Sequence, residues 1–147
     1  MAKIMFEFTI YSDNWDPNGM IKLLDIEKER INICIKGNPG KYIQTLKESS
    51  WTYSTGYVEA NNLQHLNESF IDKIEPHVGL LEEYLRTNHL DSKLYVVAYM
   101  HKKDIPTFEF DNRMLSILSR LNTSIDFDLY VVTKKNYNYY PYDKNKA

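Results

Sequence analysis

Two aspartates in the segment SIDFDLYVV carry the spacing that most suggests chemistry in this chain. Asp126 and Asp128 alternate with Ile125, Phe127 and Leu129, and a period of two predicts a half-buried strand. On one face of a strand the two carboxylates would lie about 7 Å apart, close to the separation of the carboxyl pair in glycosidases. At that separation, Asp126 and Asp128 could serve as the acid and the base of a catalytic pair. A solvated strand face, or a patch that binds a partner, explains the same residues without catalysis.

Other motifs give no comparable set of chemical groups. The histidines at 65, 77, 89 and 101 are too far apart in sequence to be ligand pairs, which need a spacing of three or four on a helix. The turn GNPGK is too short for a phosphate-binding loop, and the common nucleotide and hydrolase signatures are absent. In the loop SDNWDP, an Asx turn and a helix cap explain both aspartates without a calcium ion. We therefore expect no catalytic residue, no metal and no cofactor.

Alternating apolar residues predict the strands that position these groups. The predicted strands are residues 3–11, 31–35, 49–57, 93–101 and 124–133, with 107–110 as a short edge strand. In the last strand we expect Ile125, Phe127 and Leu129 to face the core, because the register leaves Asp126 and Asp128 on the outer face.

Three helical segments separate the predicted strands. Asp16 followed by Pro17 is typical of an N-cap and a first helical residue. An apolar stripe over residues 63–85 predicts a long helical segment, which Pro76 should kink or divide into two helices that meet near Glu75. A further amphipathic helix precedes the last strand and begins after a capping residue at 111 or 112. This order of elements predicts an α+β fold: a largely antiparallel sheet with helices packed on one face, in a ferredoxin-like or duplicated ferredoxin-like arrangement.

Length and composition predict one α+β domain at residues 1–133, followed by a flexible Tyr-rich tail at 134–147. The chain has 147 residues, 12 tyrosines and a formal net charge of −2. A near-neutral charge argues against a nucleic-acid-binding protein, which carries a concentrated basic stripe. No apolar run is long enough for a transmembrane helix, and Glu7 interrupts the first apolar segment, unlike a signal peptide. The single Cys34 allows no disulfide within a monomer. We expect a cytoplasmic protein.

Four features spread over residues 4–130 point to a known family. They are the Asp16-Pro17 helix start, the Lys36-Gly37 pair, Trp51 within SSWTYSTG and the ending IDFDLY. Together they resemble the bacterial domain of unknown function family numbered 4279. None of them is an enzyme signature, so the resemblance implies a fold and no activity. Small single-domain proteins of this kind resemble the immunity proteins that are encoded beside secreted bacterial toxins.

We therefore predict a non-enzymatic binding protein, an immunity protein that neutralises a cognate toxin domain, such as a nuclease, by direct binding. Aromatic anchors and carboxylates would face a basic toxin surface. The residues expected to contact the partner are Trp15, Asp16, Trp51, Tyr53, Asp126, Asp128 and Tyr130. We expect neither nucleic acid nor membrane as a partner, and a monomer or weak homodimer.

Two alternatives remain open from the sequence. One is a small hydrolase or isomerase that uses Asp126 and Asp128, which predicts a cleft and a carboxyl group with a raised pKa. The other is a small-ligand sensor, which requires an apolar pocket between the long helix and the sheet.

Overall fold

The computed structural model of the chain describes residues 1–40 and 44–133. The predicted Tyr-rich tail at 134–147 lies outside the described residues. The strands are β1 (Ala2–Ser12), β2 (Ile31–Cys34), β3 (Ser49–Ser54), β4 (Val58–Ala60), β5 (Asp91–His101) and β6 (Ser124–Val132). The α-helices are α1 (Gln64–Ile74), α2 (Val78–Thr87) and α3 (Asn112–Arg120), and short 3-10 helices occupy Pro17–Lys22, Lys28–Arg30 and Glu75–His77.

All six strands belong to one mixed sheet with the order β2-β3-β1-β5-β6, and β4 pairs with the first residues of β1. The pairs β2–β3, β3–β1 and β1–β5 are antiparallel, whereas β5 and β6 are parallel. The antiparallel order β2-β3-β1-β5 is that of a ferredoxin-like fold, which α3 and β6 extend at one edge. The α+β prediction is confirmed. The segment from β1 to β2 and the segment from β5 to β6 are arranged differently, because β3 separates β1 from β2 whereas β6 lies directly beside β5.

Alternation along β1 assigns the two faces of the sheet. Its even-numbered residues from Ala2 to Ile10 are buried, and its odd-numbered residues from Lys3 to Tyr11 are only half-buried. The buried set packs with the apolar faces of α1, α2 and α3 in one core, where the rings of Phe8 and Phe70 meet edge to face at 5.5 Å. The described α-helices therefore bury their apolar residues against a single face of the sheet, which we call the helix side.

Local signals at the helix ends act as the sequence predicts. The Asp16 carboxylate accepts a hydrogen bond from the Asn18 backbone N–H at 3.0 Å, although the helix that follows is a 3-10 helix. Asp111 caps α3 by accepting from the Met114 backbone N–H at 2.8 Å. Pro76 lies in the 3-10 turn between α1 and α2, so the predicted interruption of the long helix is confirmed.

Two strand predictions need correction. Residues 107–110 do not form a strand: Thr107 makes an isolated bridge to Asn62, and the segment continues without further pairing. The third strand ends at Ser54 rather than Tyr57, because Gly56 takes a positive φ of 73° that extended pairing does not use. Among the described helices, none is long and apolar enough to cross a membrane.

Candidate functional site

The face of the sheet opposite the helix side is rich in tyrosine and carboxylate groups. We call this surface the open face, and its central side chains are Met5, Glu7, Tyr57, Lys93, Tyr95, Val97, Tyr99, Asp126, Asp128 and Tyr130. Strand pairing sets them in rows: Tyr95 lies beside Asp126, and Tyr99 lies beside Tyr130. None of these side chains belongs to the core that the described helices cover. The open face therefore presents chemical groups that the packing of the core does not use.

Three tyrosines form a continuous aromatic cluster on the open face. The rings of Tyr99 and Tyr130 stack with centroids 4.7 Å apart and planes inclined by 17°. Tyr57 meets Tyr99 edge to face at 5.9 Å. Burial, reinforced by Tyr99, raises the pKa of Tyr57 well above the ordinary value for a phenol. The three rings contact one another, so a partner would meet an aromatic surface that is already ordered.

Two aspartates of β6 have different surroundings although they share a face. Asp126 forms an ion pair with Lys93, whose Nζ lies 3.1 Å from the carboxylate. The hydrogen bond that Lys93 donates to Asp126 raises the pKa of the lysine. Asp128 is exposed and makes no hydrogen bond or ion pair with the described residues. The lysine therefore neutralises one end of the pair and leaves Asp128 as a negative charge open to solvent.

Glu7 is a third carboxyl group on the open face, and it is not among the residues predicted from the sequence to contact a partner. It lies in β1 beside Tyr95 of β5 and is half-buried. Burial raises the pKa of Glu7 above its ordinary value of 4.5, and the charge of Asp128 adds to the shift. The feature of the sequence that could have identified Glu7 is its position between Phe6 and Phe8, where it is the single charged residue in the apolar run IMFEFTI.

Replacing Glu7 with glutamine should stabilise the folded chain at neutral pH and change little in acid. Because the folded-state pKa of Glu7 lies above 4.5, the unfolded chain releases this proton at lower pH than the folded chain. Ionisation therefore favours unfolding as the pH rises from 4.5 through the raised pKa, and the cost is absent below 4.5. Urea denaturation of both chains at acid and neutral pH measures the difference.

The exposed residue Glu59, on the neighbouring strand β4, supplies a matched control. Glu59→Gln removes the same charge without burial and should show no comparable rise in stability between acid and neutral pH. An equal effect of Glu7→Gln at both pH values would contradict the assignment of a raised pKa to this group. A carboxyl titration by NMR should also show the pKa of Glu7 falling in Asp128→Asn.

The structure places the seven predicted contact residues in three locations. Asp126, Asp128 and Tyr130 lie together on the open face. Trp51 and Tyr53 are only 0% and 4% exposed in the core, so they offer no surface to a partner in this conformation. Both side chains lie on the face of β3 that the helices cover.

Trp15 and Asp16 occupy the loop that follows β1, away from the open face. The indole N–H of Trp15 donates to the Tyr84 hydroxyl of α2 at 3.0 Å, and its ring packs against the core. Asp16 caps the helix that follows. Both residues therefore have local structural partners on the helix side.

The apolar residues of β6 also differ from the prediction. Phe127 and Leu129 point to the helix side as expected, because they lie beside Val96 and Ala98 of β5. They are nevertheless 47% and 50% exposed, so they do not form buried core. The reason is that β6 lies at the edge of the described sheet, where the helices cover β5 and, in β6, pack against Ile125 but leave Phe127 and Leu129 exposed.

The chemical groups do not assemble into a metal centre. Within residues 1–40 and 44–133, no three His, Cys, Asp or Glu side chains lie close enough together to hold a metal ion. Asp126 and Asp128 are both exposed. Leu66, Phe70 and Leu81 are fully buried between α1–α2 and the sheet, and the cleft at the border of α1 and the sheet is lined mainly by polar side chains, such as Asp72 and Lys73. The arrangement is better suited to contact with a macromolecule than to enclosure of a small substrate.

Comparison with known proteins identifies a family. A model of the family described as "Domain of unknown function (DUF4279)" matches residues 2–132. This range contains β1 to β6 and all three α-helices, so it includes the whole open face. No match was found to a curated protein or to a solved structure. The family resemblance of the sequence is confirmed.

Proposed function

This chain belongs to the DUF4279 family, whose description names no activity, and on that premise we propose that it is a non-enzymatic protein-binding domain. Its role is that of a cytoplasmic immunity protein, which neutralises a cognate secreted toxin domain by covering it. Before it meets the toxin, the protein is a monomer or a weak homodimer. The observation that carries this proposal is the aromatic cluster on the open face, set beside the Asp128 carboxylate, which has no ion pair with the described residues.

The aromatic cluster supplies the apolar contact area of the proposed interface. Tyr130, which is exposed, presents a ring face and a hydroxyl group that donates and accepts hydrogen bonds, and the rings of Tyr99 and Tyr57 support it from the inner side. Tyrosine is enriched at protein interfaces because its ring buries a large area while losing little side-chain entropy. Since the rings already contact one another, less ordering is required on binding.

The charge of the open face indicates the kind of partner. Asp128 has no ion pair with the described residues, and Glu7 lies nearby with its ionised form disfavoured by burial. A basic side chain from a partner would relieve the repulsion between these carboxyl groups and favour ionised Glu7. A nuclease toxin carries such basic groups on the surface that binds nucleic acid, so it matches this charge.

The alternative functions have weaker support from the same residues. A hydrolase or isomerase at the β6 aspartates needs two carboxyl groups free for proton transfer, but Asp126 is paired with Lys93. A small-ligand sensor needs an apolar pocket under the long helix, but Phe70 and Leu81 are fully buried there and the cleft beside α1 is lined mainly by polar residues. A protein could bind the open face without any change in the Asp126–Lys93 ion pair or in the core under the long helix.

Titration with the toxin domain encoded beside the gene tests the proposal. Calorimetry should show a one-to-one complex with a Kd below about 1 μM, and toxin activity should fall to zero at equimolar protein. The unrelated toxin of a second system serves as the control and should show no heat of binding. Absence of binding to the neighbouring toxin domain at micromolar concentration would contradict the proposed function.

A further inference from the structure

The polar cleft at the border of α1 and the sheet forms a second candidate site. Its walls come from the 3-10 helix Lys28–Arg30, from the end of β3 and the residues after it, and from α1. Its volume of about 610 Å³ is within the range of about 300–1,000 Å³ that small-molecule sites have. None of the central side chains of the open face lines this cleft, so the proposed function leaves its chemical groups unexplained.

The guanidinium group of Arg30 lies in this cleft without a carboxylate partner. Arg30 is half-buried, and its side chain makes no hydrogen bond or ion pair with the described residues. Glu27, three residues before it, is instead paired with Lys73 at 3.0 Å. A guanidinium group presents N–H donors in a planar fork that fits the two oxygens of a carboxylate. Arg30 can therefore bind an acidic group from outside the chain.

Gly56 lets this guanidinium lie directly against the backbone. Gly56 has a positive φ of 73°, and a Cβ at this position would overlap Nη1 of Arg30. Glycine is the residue that combines this backbone conformation with room for a neighbouring group. The guanidinium therefore occupies a defined place before a ligand arrives, which lowers the entropy cost of binding.

The hydroxyl group of Tyr53 supplies a further donor in the same cleft. Tyr53 is only 4% exposed and its ring packs in the core, but its hydroxyl makes no hydrogen bond with the described residues. Tyr53 lines the cleft and its oxygen is not sealed from solvent, so the hydroxyl points into the cleft. Burial raises the pKa of Tyr53, while the charges of Lys73 and Arg30 act in the opposite direction because both lie near it. The phenol is therefore a protonated donor at neutral pH.

Two carboxylates at the cleft indicate what else the ligand must carry. Glu29 and Asp72 line the cleft, are exposed and form no ion pair with the described residues. They would repel a multiply charged anion such as phosphate, but they would attract an ammonium group. The cleft therefore combines donors for one carboxylate with acceptors for one amine.

We propose that this cleft binds a small zwitterion, a molecule that carries one carboxylate and one amino group. The carboxylate accepts hydrogen bonds from the Arg30 guanidinium and the Tyr53 hydroxyl, and the ammonium group lies towards Glu29 and Asp72. This inference is independent of the proposed function, because a protein on the open face and a zwitterion in the cleft contact different residues.

A series of simple amino acids tests the cleft and measures the spacing of its two ends. The probes are the unbranched ω-amino acids from glycine to 6-aminohexanoate, each compared with the amine-free carboxylate of the same length, from acetate to hexanoate. Titration of the full isotope-labelled chain by NMR at constant ionic strength should show amide shifts around Arg30, Tyr53 and Gly56. At least one amino acid should bind about tenfold tighter than its amine-free counterpart. Equal affinities in every pair, tighter binding of inorganic phosphate, shifts elsewhere, or no shifts at tens of millimolar ligand would overturn the proposal.

Substitutions at the carboxylate end test the two donors separately. Arg30→Gln should weaken binding of the tightest amino acid by about tenfold or more. Tyr53→Phe keeps the buried ring and should weaken it about threefold to tenfold, with no loss of stability in urea, because the hydroxyl has no partner among the described residues. Arg86→Gln, at an exposed site of α2 outside the cleft, is the control. Unchanged affinity in Arg30→Gln and Tyr53→Phe, or an equal loss in Arg86→Gln, would overturn the proposal.

Substitutions at the amine end test the charge selectivity. Glu29→Gln with Asp72→Asn should bring the affinity for the amino acid down to that for the amine-free carboxylate. The control, Glu83→Gln with Asp91→Asn, removes two exposed carboxylates outside the cleft and should keep the preference for the amino acid. A preference that survives at the cleft double variant, or one that is lost equally in both double variants, would overturn the proposal.

Discussion

Trp51→Ala should destabilise the folded chain by about 3–5 kcal/mol, the usual cost of removing a fully buried tryptophan. Trp51 is 0% exposed and lies between Ile10 of β1 and Ile33 of β2 on the helix side. Its removal would leave a cavity that the paired strands cannot collapse to fill. Urea or thermal unfolding followed by circular dichroism measures the loss.

A milder substitution and a surface substitution provide controls for Trp51. Trp51→Phe keeps an aromatic ring in the core and should cost about 1–2 kcal/mol, so the variant remains folded for binding assays. Its affinity for the toxin domain should equal that of the unsubstituted chain. Tyr130→Ala, at an exposed site, should show the opposite behaviour, with near-normal stability and weakened binding. If Trp51→Phe lost affinity without losing stability, Trp51 would be a contact residue.

Asp128→Lys should weaken toxin binding by about thirtyfold, which is about 2 kcal/mol. The substitution places a positive charge where the proposed partner presents basic groups, so attraction becomes repulsion. Stability should not fall, because Asp128 has no ion pair with the described residues and its charge opposes ionisation of Glu7. Calorimetry at two salt concentrations measures the effect, which should shrink as salt screens the charges.

Glu83→Lys is the matched control for this charge reversal. Glu83 is an exposed residue of α2, on the helix side, and the substitution changes the net charge by the same amount. It should leave the affinity unchanged within error. Equal losses in the two variants would mean that the toxin responds to total charge, and a loss confined to Glu83→Lys would place the interface on the helices.

Periodicity in the sequence was sufficient to predict the faces of the strands. The alternation in β1 and in β6 identifies which residues share a face, because successive side chains of any strand point in opposite directions. The Asp16 and Asp111 caps and the break at Pro76 were also predictable, since each depends on neighbouring residues alone.

Periodicity could not reveal which faces are covered. Phe127 and Leu129 have the sequence pattern of core residues, but their exposure depends on β6 being an edge strand, a property set by distant pairing. The placement of α3 also decides which residues are covered: Ile117 and Leu118 pack into the common core, and Arg113–Glu75 and Arg120–Glu82 ion pairs lie at the exposed border of the helix. These contacts join residues 38 positions apart in sequence.

The candidate site shows the same division between local and long-range information. The sequence pattern around Trp51 is equally compatible with a core position and with a binding anchor. Trp51 is in the core because β3 pairs between β1 and β2 and this face of the sheet is covered. Glu7 was missed because a single glutamate in a strand gives no local indication that Asp128 will lie near it. Only the order of the strands brings the two carboxyl groups onto one surface.

Hydroxyl-radical footprinting of the complex tests the location of the partner most directly. Exposed side chains are oxidised in the free chain, and a bound protein protects those that it covers. Tyr130 on the open face and Leu80 on α2 are both exposed and serve as reporters for opposite sides of the sheet. We predict that binding of the toxin domain protects Tyr130 severalfold and leaves Leu80 unchanged. Protection of Leu80 with unchanged oxidation of Tyr130 would contradict a partner-binding role for the open face.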